Sequence, residues 1–344
     1  MEYSTGQQFQ SLQRVLIYNL LHIFNFLRTK FNTWILNRLD TIVYRFNAII
    51  IVLTAIGSNL SIEHLSSRYS AAMMLIYRGL LGCVLIWSAA WLQRASIWPQ
   101  IPRTQVVRFF NSGIALLLAF EAFRRLAGVT VSVVQRLDIP FAVLLGVAAS
   151  QRPRDMKFWL SLLAIGLVLM SLVFSGKINE DPLGLLLALV AVAQTALAAL
   201  LNKKSADSEN VYVILNISNL SCIVVGITVA LAKGEFSVLH SNDVWLVVLA
   251  ALSQFIVNYT LVLLFRRHDV TRAQRPFLLS SVLILGLEML LKHKWFAPLH
   301  IAFVLVVVGV VYLITLNNPT HLFRRAQKSL GWRIKSSEET ITIS

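Results

Sequence analysis

The sequence predicts an all-α, polytopic membrane protein of ten transmembrane helices. Three observations predict it. Of 344 residues, 57% are hydrophobic and only 14% are charged, whereas charged residues make up about a quarter of a soluble domain. The apolar residues gather in runs close to the about 20 residues that cross a bilayer as helix. The basic residues gather in alternate connecting segments, the pattern of the positive-inside rule. The net charge of +15 would suggest nucleic acid in a soluble chain. Here the alternation supplies a topological cause, so no nucleic-acid partner is expected. Cys83 and Cys222 both lie in apolar runs, which points to neither a disulfide framework nor a metal site.

Residues 1–41 lack a full span. Leu12, Leu16, Leu20, Phe24, Leu27 and Phe31 recur at helical spacing against Gln13, Asn19, His22, Asn25 and Lys30. That pattern predicts an amphipathic helix lying on membrane lipid in the cytoplasmic headgroup layer. Packing on the bundle is the plainer alternative. No cleavable signal peptide is evident, because no short apolar core ends in a small-residue cleavage site.

The spans are expected at about 42–60, 71–91, 107–123, 128–149 and 157–175, then 183–201, 211–231, 244–265, 276–291 and 298–316. A basic cytoplasmic tail, 317–344, follows. With a cytoplasmic N-terminus, the inside segments carry residues such as Arg94, Arg103, Arg152, Arg154, Lys157, Lys203, Lys204, Arg266, Arg267 and Arg324, with Arg108 at an edge. The outside loops carry Arg68, Arg124, Arg125, Lys177, Lys233, Lys292 and Lys294. The bias of about three to one places both termini in the cytoplasm.

The fourth span is the unusual one. Val131–Ala148 is apolar overall but holds Gln135, Arg136, Asp138 and Pro140. Each ionised group at membrane depth costs roughly 2.5–3.5 kcal/mol on insertion scales, so it faces a cavity or a partner. Pro140 offers no N–H to the carbonyl four residues back and crowds it. That carbonyl must be satisfied by protein, water or ligand. A charged, proline-broken helix reads either as part of a translocation pathway or as a buried tie between helices. Arg136 and Asp138 are two apart, so on one regular helix they do not face each other. Glu121 for Arg136 and Arg78 for Asp138 are candidate partners.

Ten spans divide into five and five, 42–175 and 176–316. An odd number per half inverts one half relative to the other. Phe123-Arg124-Arg125 precedes Gln135-Arg136 and Pro140-Phe141, as Phe265-Arg266-Arg267 precedes Gln274-Arg275 and Pro276-Phe277. With Gly57-Ser58-Asn59 closing the first span, Arg78 in the second, the proline-phenylalanine pairs and Gly309 to Tyr312 near the end, the chain resembles the EamA-type permeases of the drug/metabolite transporter superfamily. The likeness covers about residues 45–316. It departs at Ile56, where tryptophan is usual, and where Ser150-Gln151 and Lys292-His293 replace a glycine-glutamate pair.

The resemblance implies two inverted five-helix repeats around a central cavity, and export of small organic metabolites or drugs by alternating access. On it, the substrate-binding or translocation residues are Asn59, Arg78, Glu121, Gln135, Arg136, Asp138, Gln254, Asn258 and Glu288, with Pro140 and Pro276 as helix breakers. Gln194, Asn216, Asn219, Tyr259, Gln274 and Arg275 are further polar positions within spans. Asp138 and Glu288 are the candidates for proton coupling. Helix packing is an equal reading for each Asn or Gln. Arg275 reads as a solvated residue or a lipid-phosphate contact.

The expected partners are a small-molecule solute and membrane lipid, with no cofactor; a homodimer is left open. A bacterial cytoplasmic membrane is the expected location. No Walker loop points to an ATP-driven pump, and no nucleophile elbow points to a hydrolase. The alternatives are a non-transporting membrane subunit and, with less to support it, a lipid-modifying membrane enzyme.

Overall fold

The computed structural model describes residues 43–126, 128–150, 155–174, 181–291 and 298–316. The expected N-terminal amphipathic helix and basic tail lie outside the described residues, as do Arg152, Arg154, Lys177, Lys292 and Lys294. Among the described residues all regular structure is helical. Helix α1 spans Val43–Ser66, α2 Ala71–Leu92, α3 Pro102–Arg125, α4 Gly128–Gln135, α5 Asp138–Ser150 and α6 Met156–Phe174. Then come α7 Pro182–Ala206, α8 Val211–Lys233, a 3-10 turn at Ser241–Asp243 and α9 Val244–Arg267. Helices α10 Val270–Ala273, α11 Pro276–Leu291 and α12 Pro298–Ile314 close the order.

Among the described residues, seven stretches are long and apolar enough to cross a membrane: α1, α2, α3, Thr130–Ala149 (most of α4 and α5), α7, α8 and α9. Met156–Met170 of α6 and Ile301–Ile314 of α12 are shorter apolar helices, and α11 has 16 residues. The chain is therefore of the polytopic membrane kind. Lipid-type surface accompanies it: Leu53, Val84, Leu231 and Leu290 are exposed along helix flanks, and Trp91, Trp98, Trp159 and Trp245 are exposed near helix ends. Aromatic belts of that kind sit at membrane interfaces.

Several boundaries follow from local chemistry. Ser70 Oγ accepts the Met73 N–H at 3.3 Å and starts α2. Asp181 Oδ1 accepts the Gly184 N–H at 2.8 Å, with Pro182 opening α7. That N–H, aided by Arg125, holds the Asp181 carboxyl below the usual carboxylate range. Asn210 Oδ1 accepts the Tyr212 N–H at 3.1 Å and starts α8. Gly234 ends it at φ 66°, where a side chain would be strained.

Residues 1–49 and 50–344 form two units, and the packing described here is that of the second. Helices α2 and α8 pack antiparallel, as the pairs Ile76–Gly226 and Gly82–Asn219 and the Trp87–Asn216 hydrogen bond show. Small residues allow the approach. A Cβ on Gly226 would stand 2.8 Å from Ile76 Cγ1 and 2.9 Å from the Ala72 carbonyl oxygen. Helix α3 lies on α8 through Gly113, whose Cβ would meet Ser221, and through the Ser221 hydroxyl, which donates to the Phe109 carbonyl. Lipid tails are as apolar as side chains, so close backbone approach and hydrogen bonds replace hydrophobic drive here. Helix α9 runs antiparallel to α1, from Asp243 beside Arg68 to Gln254 beside Ser58.

At the Tyr69 end of the bundle, one carboxylate joins the turn between α1 and α2 to the start of α9. The Tyr69 hydroxyl donates to Asp243 Oδ2 at 2.9 Å and accepts the His240 N–H at 3.0 Å. Arg68 Nη1 donates to Asp243 Oδ1 at 2.8 Å. The ring of Tyr69 is buried. At the opposite end, Arg266 donates to the Ala206 and Glu209 carbonyls, both at 3.0 Å. The Lys203 ammonium there donates to the Phe265 carbonyl.

Gly226→Leu is expected to lower the unfolding free energy by about 1–3 kcal/mol through overpacking against α2. Gly166→Leu, where a Cβ meets nothing within 4 Å, is expected to change it by less than about 0.5 kcal/mol. Denaturation of the purified variants in one detergent checks both. In the same assay Tyr69→Phe, which strips the carboxylate of its buried donor, is expected to cost about 1–2 kcal/mol.

Candidate functional site

Three helices turn one stripe each toward a common interior. On α1 the stripe is Ala55, Ser58, Asn59 and Ile62. On α3 it is Leu116, Ala119, Phe120 and Phe123. On α9 it is Gln254, Val257, Asn258 and Leu261. Each follows the i, i+3, i+4, i+7 spacing of a single helix face. With Arg78 of α2, the α4–α5 junction, Val192 and Thr195 of α7, and Gln274 and Phe277, they enclose a chamber of ≈190 Å³. A second chamber of ≈150 Å³ shares Arg78, Leu116, Thr195, Gln254, Asn258, Leu261 and Gln274 with it. It continues along α3 toward Arg108 and along α8 through Ser218 and Asn219.

The wall contains two interrupted helices. Helix α4 ends at Gln135 and α5 starts at Asp138, leaving Arg136 and Leu137 between. Helix α10 ends at Ala273 and α11 starts at Pro276, leaving Gln274 and Arg275 between. Tightened i−3 hydrogen bonds carry the chain through both breaks: Arg136 N–H to Val133 and Leu137 N–H to Val134, then Arg275 N–H to Arg272 and Phe277 N–H to Gln274. Pro140 and Pro276 stand in the first turn of the segment after each break. A proline is tolerated there because first-turn N–H groups have no intrahelical acceptor. The break thus falls upstream of Pro140 rather than at it.

The two breaks touch. Gln274 Nε2 donates to Asp138 Oδ2 at 3.1 Å, and Asp138 Oδ1 accepts the Ile139 N–H at 2.9 Å. Both side chains are buried. Arg136, also buried, donates through Nε to the Ser132 carbonyl at 3.3 Å and through Nη2 to Gln135 Oε1 at 3.4 Å. Its guanidinium lies 5.2 Å from the Phe277 ring centre, a second link between the two interrupted helices. Across the chamber, Ser58 Oγ donates to Gln254 Oε1 at 3.4 Å and Gln254 Nε2 to Asn258 Oδ1 at 3.0 Å. Arg78 is 5% exposed. Its guanidinium lies 5.6 Å from the Phe120 ring centre, and its Nε and Nη1 have no hydrogen-bond partner.

The structure brings together Asn59, Arg78, Gln135, Arg136, Asp138, Gln254 and Asn258, with Gln274 joining them. It places Glu121 elsewhere. That carboxylate pairs with Arg124 at 3.1 Å and Arg125 at 3.3 Å on its own helix, so it is no partner for Arg136. Nor does Arg78 pair with Asp138, whose oxygens are taken by Gln274 and Ile139. Glu288 falls on α11, and its side chain lies outside the described residues. Asn216 is a packing residue, accepting from Trp87 Nε1 at 2.9 Å and donating to the Ile97 carbonyl at 3.4 Å. Arg275 is an interhelical tie rather than a lipid contact: it donates to Thr315 Oγ1 at 3.0 Å and to the Thr315 carbonyl at 2.7 Å, over the Tyr312 ring.

Sequence reasoning missed Arg108. Read as the edge of a basic loop, it is 1% exposed. Its Nη1 donates to Gln105 Oε1 at 2.7 Å; its Nη2 donates to the Ile214 carbonyl at 2.6 Å and to Ser218 Oγ at 2.9 Å. The signal was in the spacing. Gln105, Arg108, Ser112 and Ala115 continue the face of α3 that Leu116 and Ala119 extend.

Gln274→Leu leaves the Asp138 carboxylate without its side-chain donor in a buried site. It is expected to cost about 1.5–3 kcal/mol, the worth of a hydrogen bond to a charged group. The Asp138→Asn, Gln274→Leu double variant is expected to cost less than the sum of its parts. Denaturation of the four proteins in detergent checks the cycle.

No protein-family model and no curated protein matches this chain. A solved structure, described only as the crystal structure of a protein, is similar over 83% of this chain and 98% of its own, at a TM-score of 0.59 and 16% identity. At that identity the likeness is one of fold.

Proposed function

We propose that the chain is a secondary transporter that moves small organic solutes across a membrane, with export as the direction. The observation that carries the reading is the chamber: polar and charged side chains, buried among apolar helices, where two interrupted helices meet through Gln274 and Asp138. Interrupted helices around a polar site in the membrane are how secondary transporters present backbone and side-chain groups to a solute. The matching Gln-Arg breaks, each followed by a proline, support an origin in two inverted five-helix repeats and a total of ten spans. The resemblance to EamA-type permeases points the same way.

The two ends of the bundle supply the rest of an alternating-access scheme. Arg68, Tyr69 and Asp243 close one end; Arg266 and Lys203 tie α9 to the α7 end at the other. Helix α9 takes part in both latches and carries Gln254 and Asn258 between them. In this proposal the latches open in turn around a fixed site. Both termini are cytoplasmic, the membrane is a bacterial cytoplasmic membrane, and no cofactor or enzymatic step is involved.

The test is release from liposomes. Purified protein is reconstituted into vesicles loaded with a metabolite extract, and the medium is analysed by mass spectrometry. Release above protein-free vesicles is expected. Asp138→Asn, at equal incorporation, is expected to slow it roughly 10- to 100-fold, the kinetic equivalent of one lost charged hydrogen bond. Wild-type release by that variant would remove Asp138 from the pathway, and no release by the wild-type protein would overturn transport itself.

A further inference from the structure

Arg78 is the buried cation that the protein leaves without an acceptor. Among the described residues, the charged ones lining the two joined chambers are Arg78, Arg108, Arg136 and Asp138, three guanidinium groups against one carboxylate. Arg108 and Arg136 spend donors on carbonyls and side chains of their own surroundings. Asp138 is held by Gln274 and a backbone N–H. Arg78 has no ion pair among the described residues and two unpartnered nitrogens, Nε and Nη1, at 5% exposure. It borders both chambers.

The way Arg78 is held says what it waits for. The guanidinium lies over the Phe120 ring, a cation–π contact that consumes none of its N–H donors. That fork matches the two oxygens of a carboxylate or a phosphate. Two neighbouring amide oxygens already hold a donor: Gln254 Oε1 takes the Ser58 hydroxyl, and Asn258 Oδ1 takes Gln254. Two acceptors in the walls of the joined chambers, Gln274 Oε1 and Asn202 Oδ1, have no partner, and each suits an O–H or N–H of the same molecule. With Arg108 in the wall of the second chamber, the described lining is net positive.

We infer that the chamber takes small organic anions, a carboxylate or phosphate ester bearing a hydroxyl or amine, with Arg78 as the anchor of the oxyanion. The inference rests on the transporter reading for its role and on Arg78 alone for its chemistry.

Two measurements separate them. In the first, thermal unfolding of the full-length protein in detergent is followed with malate or glycerol 3-phosphate, and with their uncharged counterparts malamide and glycerol, at matched ionic strength. The anions are expected to raise the midpoint and the uncharged compounds not to. The rise is expected to vanish in Arg78→Gln and to persist in part in Arg78→Lys, which keeps the charge and loses the fork. Equal stabilisation by charged and uncharged probes of the wild-type protein, or an unchanged response in Arg78→Gln, overturns the inference, and the first of these needs no variant to fold. In the second, wild-type liposomes loaded with all four probes are compared with protein-free liposomes, and the protein-dependent release of at least one anion is expected to be about tenfold faster than that of its uncharged partner, equivalent to one decade of affinity. Faster release of the uncharged partners keeps transport and overturns the anion site. Anion-specific stabilisation without release keeps the site, assigns it to a held anion such as a lipid headgroup phosphate, and fails the transport reading.

Discussion

Charge removed from water must be repaid by a neighbour, and in an apolar bundle few neighbours can do it. That constraint organises the interior of this protein. Arg108 is met by a side-chain amide, a carbonyl and a hydroxyl on two helices. Arg136 turns back onto its own helix and lies over Phe277. Asp138 is met by Gln274 from a distant part of the chain. Each solution fixes a pair of elements, so polar satisfaction here acts as packing. Arg78 is the exception, and the exception falls at the junction of the two chambers.

The two helix breaks are what make such solutions available. A continuous helix would commit every backbone group and point Arg136 and Asp138 along faces roughly 200° apart. Interruption at Arg136–Leu137 sets both residues at a junction, and interruption at Gln274–Arg275 brings an amide to the same place. Prolines explain why the second segments restart where they do. The tightened i−3 bonds explain how the chain passes through without orphaning its N–H groups. The surrounding bundle is closely packed: α2, α3 and α8 approach through glycine and serine contacts. Within that frame the two local breaks set their polar side chains at one chamber, and polar contacts tie the two ends of the bundle.

Much of this was legible in the sequence for a simple reason. Lipid demands long apolar runs and penalises stray charge, so composition, span positions and the weight of Arg78, Arg136 and Asp138 could be read without coordinates. Every long crossing helix of the structure lies on an expected span. The pairing of Gln-Arg breaks was also visible as a repeated motif. Partners were not legible. Glu121 reads as an intramembrane acid but pairs with Arg124 and Arg125 one turn away. Arg275 reads as a solvated residue or a lipid-phosphate contact but ties the break before α11 to the end of α12. Arg108 reads as topology and proves to be the most buried of the arginines discussed.

The sequence by itself determined the class of protein, the approximate spans and which residues carry the cost of burial, because those depend on local composition and on periodicity along one chain. Only the tertiary structure decided which charges are met and which is left open. That choice depends on residues far apart along the chain, 136 positions for Asp138 and Gln274 and 175 for Arg68 and Asp243, coming within hydrogen-bond reach, and no pattern along the chain encodes a distance of that kind.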